Sequence, residues 1–191
     1  MKSLRGWFNI FFVIALAALL AGCHSTGSKK QLATIRLFVE AGRGGSSAGR
    51  VLVTRQRIPM SIEREAFLDE GDLSDARLIE DADGTFSIEL VFDDHGAMVL
   101  DMTSVANRGR HIIIHANFPP PGTKEDTGTG PMPTSESEPS GKPRKGGWIS
   151  AVMINGRLSN GTVRFTPDTS HEEAERIVKG LKNVIKMKSS F

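Results

Sequence analysis

The last twenty-two residues constrain this chain most. Ser170 and Glu173 stand in the S-x-x-E spacing of a capping box, where hydroxyl and carboxylate each satisfy a backbone N–H at a helix start. Ala174, Ile177, Val178, Leu181 and Ile185 follow at helical spacing. The pattern predicts a helix to about Lys186, with lysines gathered near its negative end. Gly180 is a blemish in it, costing ~1 kcal/mol against alanine. A helix with a single apolar stripe must lay that stripe on another surface.

The upstream sequence supplies strands for that purpose. In residues 34–40, Ile35, Leu37 and Val39 alternate with Arg36 and Glu40, the pattern of a half-buried strand. Residues 41–49 are a Gly/Ser loop, and residues 50–63 read as one or two strands with Pro59 at a break or an edge. Residues 69–81 read as a short helical turn running into a strand. The D-A-D-G turn at 81–84 leads to a strand with Phe86, Ile88, Leu90 and Phe92 in phase. Asp93 or Asp94 can cap a second helix, with Met98, Met102 and Val105, joined by Leu100 or Val99, as its apolar stripe. Asn107 and Gly109 suit its end. Residues 110–116, 148–154 and 161–166 are further strands, with Asn-Gly turn signals at 155–156 and 160–161. The expected fold is α+β: an antiparallel sheet with two amphipathic helices on one face, ferredoxin-like in character.

The N-terminus has a different logic. Lys2 and Arg5 precede an apolar run at 7–20 interrupted only by Asn9, the layout of a secretory signal. The run is short for a permanent membrane span. It ends in L-L-A-G-C, which resembles a bacterial lipobox, with Cys23 as the lipid-attachment residue. Cys23 is the single cysteine of the 191 residues, so no internal disulfide competes for its thiol. Acyl chains contribute ~0.8 kcal/mol per buried methylene, enough together to hold a protein on a bilayer. The other reading is a free thiol in an uncleaved signal-anchor. His24 in place of an aspartate favours the outer over the inner membrane by resemblance to enterobacterial sorting.

Cleavage before Cys23 removes Lys2, Arg5 and no acid, leaving 22 basic against 22 acidic residues in a mature chain of 169. That balance argues against a nucleic-acid partner. The segments are then a signal at 1–22, a polar tether at 23–33, an N-terminal β region at 34–68 and an α+β domain at 69–187.

The segment from 72 to 184 resembles the head subdomain of the first periplasmic domain of SecD, an accessory subunit of the Sec export machinery. D-L-S-D-A-R-L at 72–78 is similar to that family's D-I-x-x-A. Residues 86–114 are similar to its strand, acidic residue, Gly and helix ending T-x-x-N-x-G-[KR], then its apolar strand. Residues 148–166 are similar to its S-A-P and Gly hairpin, with Val152 where proline is usual. Residues 171–182 are similar to its closing E-E-A helix. The resemblance implies a SecD-head-like fold that engages emerging polypeptide. SecD's six membrane helices and its proton-coupling acid have no counterpart here, so its motor is not carried over.

Where that family has a tight hairpin, this chain carries an insertion at 119–147. It is rich in Pro, Gly, Ser and Thr and has no apolar periodicity, so it reads as disordered. Glu125, Asp126, Glu136 and Glu138 come first, then Lys142, Arg144 and Lys145 beside Trp148. The basic end could touch anionic lipid or cell wall. A solvated loop is the simpler reading.

Catalytic, metal and cofactor patterns fail on their spacing. His111 and His115 lie four apart on a strand, where they span ~13 Å and cannot share an ion. The run from Asp81 begins like an EF-hand, but its twelfth position is Phe92 where the motif needs glutamate. The glycines at 42–49 lack the G-K-[ST] of a phosphate loop. Asp93–Asp94–His95 could be a catalytic group, yet it sits where a helix needs its cap. No site residue is assigned for catalysis, metal or cofactor. The first functional reading is a non-enzymatic, lipid-anchored envelope protein that faces the periplasm and binds protein partners or assists exported polypeptides. The alternative is an envelope adaptor, unrelated to export, binding cell wall or another lipoprotein.

Overall fold

The computed structural model describes residues 31–42, 47–118 and 146–190. Cys23, the signal and most of the insertion lie outside the described residues.

The elements, in order, begin with β1 (Thr34–Val39), β2 (Ser47–Val53), β3 (Ile58–Glu63) and β4 (Leu68–Asp69). A 3-10 turn (Glu70–Asp72) follows, then β5 (Leu73–Glu80), β6 (Phe86–Phe92), α1 (Asp94–Ala106), β7 (His111–Asn117), β8 (Gly146–Met153), β9 (Thr162–Phe165) and α2 (His171–Lys188). The architecture is α+β with antiparallel pairing, as expected. The strands are divided among three sheets, with orders β4-β1-β7-β8, β2-β3 and β5-β6-β9.

β1 pairs with β7 along its length, from Thr34 opposite Asn117 to Val39 opposite Ile112. The boundary drawn at 68/69 therefore falls inside β4, and the segments on either side of it share a sheet. Residues 146–147, placed in the insertion on sequence, open β8. Gly146 lies so close to β7 that a Cβ there would stand 2.6 Å from the Ala116 carbonyl oxygen.

The main core lies between the sheets and α2. Ile35, Leu37, Ile112 and Ile114 meet Ile88 and Leu90 there, closed by Ala174, Ile177 and Leu181 of α2. The opposite face of the four-stranded sheet carries a smaller core of Phe38, Ile113, Val53 and Ile62, roofed by the β2–β3 hairpin. This second core explains why β7 reads as an unbroken Ile-Ile-Ile run: it is covered on both faces. The hairpin's tip bends through Thr54 and Arg57, both at positive φ (63° and 56°). It is fixed there by the Thr54 N–H on the Trp148 carbonyl at 3.0 Å and by the Arg55 N–H on the Asp168 carboxylate.

α2 starts on the capping box read from sequence: Ser170 Oγ accepts from Glu173 N–H, and Glu173 accepts from Ser170 N–H. α1 is capped by Asp93, which accepts from Gly96 N–H at 2.9 Å. Its apolar stripe is where the expectation needs correcting. Met98, Met102 and Val105 are 57%, 67% and 59% exposed, while Gly96, Leu100 and Ser104 face inward. The reason is steric. A Cβ on Gly96 would sit 3.0 Å from Asp72 and Phe92, so the helix approaches through its smallest residues. Ser104 Oγ then accepts from Leu158 N–H at 2.9 Å. The larger apolar residues are left on the far side.

Candidate functional site

Two of the sheets end on strands with one neighbour each: β8 beside β7, and β9 beside β6. These two edges meet at one end. The Asp168 N–H donates to the Ile149 carbonyl at 2.7 Å, and Ser150 Oγ donates to the Thr166 carbonyl at 3.2 Å. Beyond that junction lies an open cleft of about 530 Å³. Ala151, Val152 and Met153 line one side, Arg164 and Thr166 the other, with Asp81 and Ser87 at its margin.

The ladder registers fix which backbone groups face this seam. Ile154 N–H donates to the Arg110 carbonyl at 2.8 Å, so 154 and 110 are a hydrogen-bonded pair. In an antiparallel ladder bonded and non-bonded pairs alternate. Val152 and Ser150, opposite Ile112 and Ile114, therefore bond to β7. Ala151 and Met153 direct their N–H and C=O groups outward. On the other side Phe92 N–H donates to the Gly161 carbonyl, so Val163 and Phe165 bond to β6 and Arg164 turns its backbone outward. The seam thus carries main-chain donors and acceptors on both sides, the form of edge to which another strand can add.

The two charged side chains that line this cleft, Arg164 and Asp81, are paired with each other. Arg164 Nε donates to Ser87 Oγ at 2.8 Å, and its Nη2 to Asp81 Oδ1 at 2.7 Å. Sequence reasoning did not single out Arg164. Its signal was the alternation Val163-Arg164-Phe165, which sends the arginine away from the buried face.

The residues that the sequence offered for chemistry fall elsewhere. His111 and His115 lie on β7 with different partners: His111 Nδ1 is 2.7 Å from Glu40 Oε2, and the His115 ring stands edge-on to Trp148, centroids 4.8 Å apart. Burial, assisted by the Arg36 charge, depresses the His115 pKa to about 4, so the ring is neutral. Asp93 and His95 do meet a third group, Asp72, with ligand-capable atoms all within 4.8 Å. His95 Nδ1 lies 3.1 Å from Asp72 Oδ1. The cation beside Asp93 is Lys188, whose Nζ lies 2.8 Å from Oδ2 and also donates to the Gly71 carbonyl. The Gly96 N–H and the Lys188 ammonium hold the Asp93 carboxyl below the usual aspartate range. This cluster ties the end of α2 to the start of α1.

The class the fold defines is an α+β domain of antiparallel sheets with two helices and exposed strand edges. Solved structures of SecDF share that fold. One, of SecDF as a membrane component that enhances protein export, aligns at TM-score 0.50 and 17% identity over 80% of this chain and 63% of its own. Another, SecDF in a super-membrane-facing form, gives the same TM-score and identity over 80% of this chain and 19% of its own. The chain thus spans less than two thirds of either structure, and the likeness is one of fold. No protein-family model and no curated protein matches the sequence. Among the described residues no helix is long and apolar enough to cross a membrane.

Proposed function

We propose that this chain is a non-enzymatic protein of the bacterial envelope, anchored by lipid on Cys23 and facing the periplasm, whose SecD-head-like body binds extended segments of exported polypeptide. The observation that carries the reading is the pair of strand edges facing one cleft, where the outward backbone groups of Ala151, Met153 and Arg164 have no partner among the described residues. Main-chain hydrogen bonding at such edges is indifferent to sequence, which suits a binder of many unfolded chains. The cleft's charged side chains are engaged with one another and do not converge on a point where a bond could be broken. The SecDF structures support the reading through their fold and their role in export.

The test is photo-crosslinking in the host from a probe at Met153 or Thr166, with a probe at exposed Glu65 as the control. Crosslinks to exported chains, enriched when export is stalled, are the expected result. Equal labelling from Glu65 would overturn the seam as the binding site.

The adaptor reading has its own observation: the exposed Met98, Met102 and Val105 on α1. One defined partner crosslinked from Met102, with no exported chains at Met153, would favour it.

A further inference from the structure

We propose that the C-terminal half of α2 is a docking face for an anionic lipid surface, a step that rests on the reading of Cys23 as the anchor. The place where the chain enters the body carries the inference. Asn183 Nδ2 donates to the Gln31 carbonyl at 2.8 Å. Two residues on, Ala33 is packed against Gly180, where an added Cβ would stand 2.6 Å from the Ala33 Cβ. The incoming chain is therefore pinned to α2, and the tether proper ends at residue 31.

From Cys23 to Gln31 is a span of at most roughly 28 Å when fully extended. The last turns of α2 are thus held close to any bilayer that holds Cys23.

Those turns present positive charge. Lys179, Lys182 and Lys186 recur on one side of the helix, all exposed, with Asn183 set among them. None makes an ion pair with another described residue. The nearby acids are engaged: Asp75, which feels the Lys182 charge, is paired with Arg77 at 2.7 Å, and Glu175 lies back toward His171 at 3.8 Å. Lys188 is excluded from this face by its bond to Asp93. A basic cluster adjoining a lipid anchor is the arrangement in which acyl chain and charge act together on an anionic surface. The body then lies against the bilayer and does not swing freely on its tether.

The test compares the full mature, lipidated chain on vesicles of phosphatidylcholine and on vesicles containing phosphatidylglycerol. Acetylation of Lys179, Lys182 and Lys186 is followed by mass spectrometry, with Lys124, beside Glu125 and Asp126 at the acidic end of the insertion, as the reference. The three should be protected several-fold on the anionic vesicles, and the protection should vanish in high salt. In a second arm the mature chain carrying Cys23→Ser, made without a signal, is sedimented with the same vesicles. Weak binding is expected. It should fall about a hundredfold with Lys179→Gln, Lys182→Gln and Lys186→Gln together, near fivefold per charge, and persist when all three are arginine. Equal reactivity of the three lysines on both vesicles, or undiminished binding of the folded triple glutamine variant, would overturn the docking face. Failure of Cys23 to take labelled palmitate in cells would instead remove the anchor, leaving the second arm to decide the face alone.

Discussion

Gly180 lies directly under Ala33: a Cβ built on Gly180 would meet the Ala33 Cβ at 2.6 Å and its backbone nitrogen at 2.7 Å. On sequence this glycine is a weakness in the helix. In the structure it is the reason the chain can cross α2 on its way into β1. Gly180→Ala should therefore destabilise the protein by about 1–3 kcal/mol through overpacking, against the ~1 kcal/mol gain that helix propensity alone assigns. Denaturant unfolding of the two proteins gives the sign directly. A gain in stability would show that the crossing segment can move away without cost.

The same comparison can be made on α1. Met98→Lys and Met102→Lys replace side chains that are more than half exposed, so each should change stability by no more than about 0.5 kcal/mol. Leu100→Ala, at a residue 0% exposed, should cost about 2–5 kcal/mol. Thermal melts of the three variants separate the two faces of the helix. If either lysine variant is as damaging as Leu100→Ala, the exposed face is being covered by something in solution, and sedimentation of the wild type would show it.

α1 also shows where the sequence stops being informative. β6, β7 and α2 were legible because their signals are local: period two, an unbroken apolar run, and a capping box ahead of a helical stripe. The inward face of α1 is set by close approach through Gly96 and Ser104, and no count of apolar residues finds that. The division into three sheets was hidden for a related reason. The Ile run of β7 shows that it is buried, but not that its second cover is a hairpin some fifty residues upstream. The seam exists only once β8 and β9 are placed side by side, so its backbone polarity could not be read from either strand alone.

His115 makes stability depend on pH. Its folded pKa, about 4, lies below the 6.5 of a free histidine. Between these values the unfolded chain binds the proton and the folded one does not, so stability falls as pH drops from 6.5 toward 4. The stabilisation is complete above 6.5 and amounts to about 2–3 kcal/mol across the window. His115→Phe keeps an aromatic ring against Trp148 and has nothing to protonate. Its urea midpoint should lose correspondingly less than that of the wild type between pH 6.5 and pH 4.5. Parallel curves would mean that His115 is protonated in the folded state.

The seam admits a sharper test than a side-chain swap, because proline removes one backbone donor at a chosen position. In the β7–β8 ladder the Val152 N–H is directed to Ile112, while the Met153 N–H points into the cleft. Proline is tolerated on an edge strand where its missing N–H faces away from the neighbour. Met153→Pro should then leave the β7 ladder intact and the melting temperature within a few degrees. It should nevertheless weaken capture of an unfolded, fluorescently labelled polypeptide, because a strand adding to β8 loses an N–H partner where it would pair. Val152→Pro is the opposite case: it deletes a ladder bond at the edge of the main core and should cost about 3 kcal/mol or more. Met153→Ala separates the loss of the donor from the loss of the side chain, and should bind closer to the wild type than to the proline variant. If Met153→Pro folds and binds as the wild type does, polypeptide does not pair with the β8 edge. Arg164→Pro, the equivalent change on β9, would then distinguish pairing on the opposite wall from no pairing in the cleft.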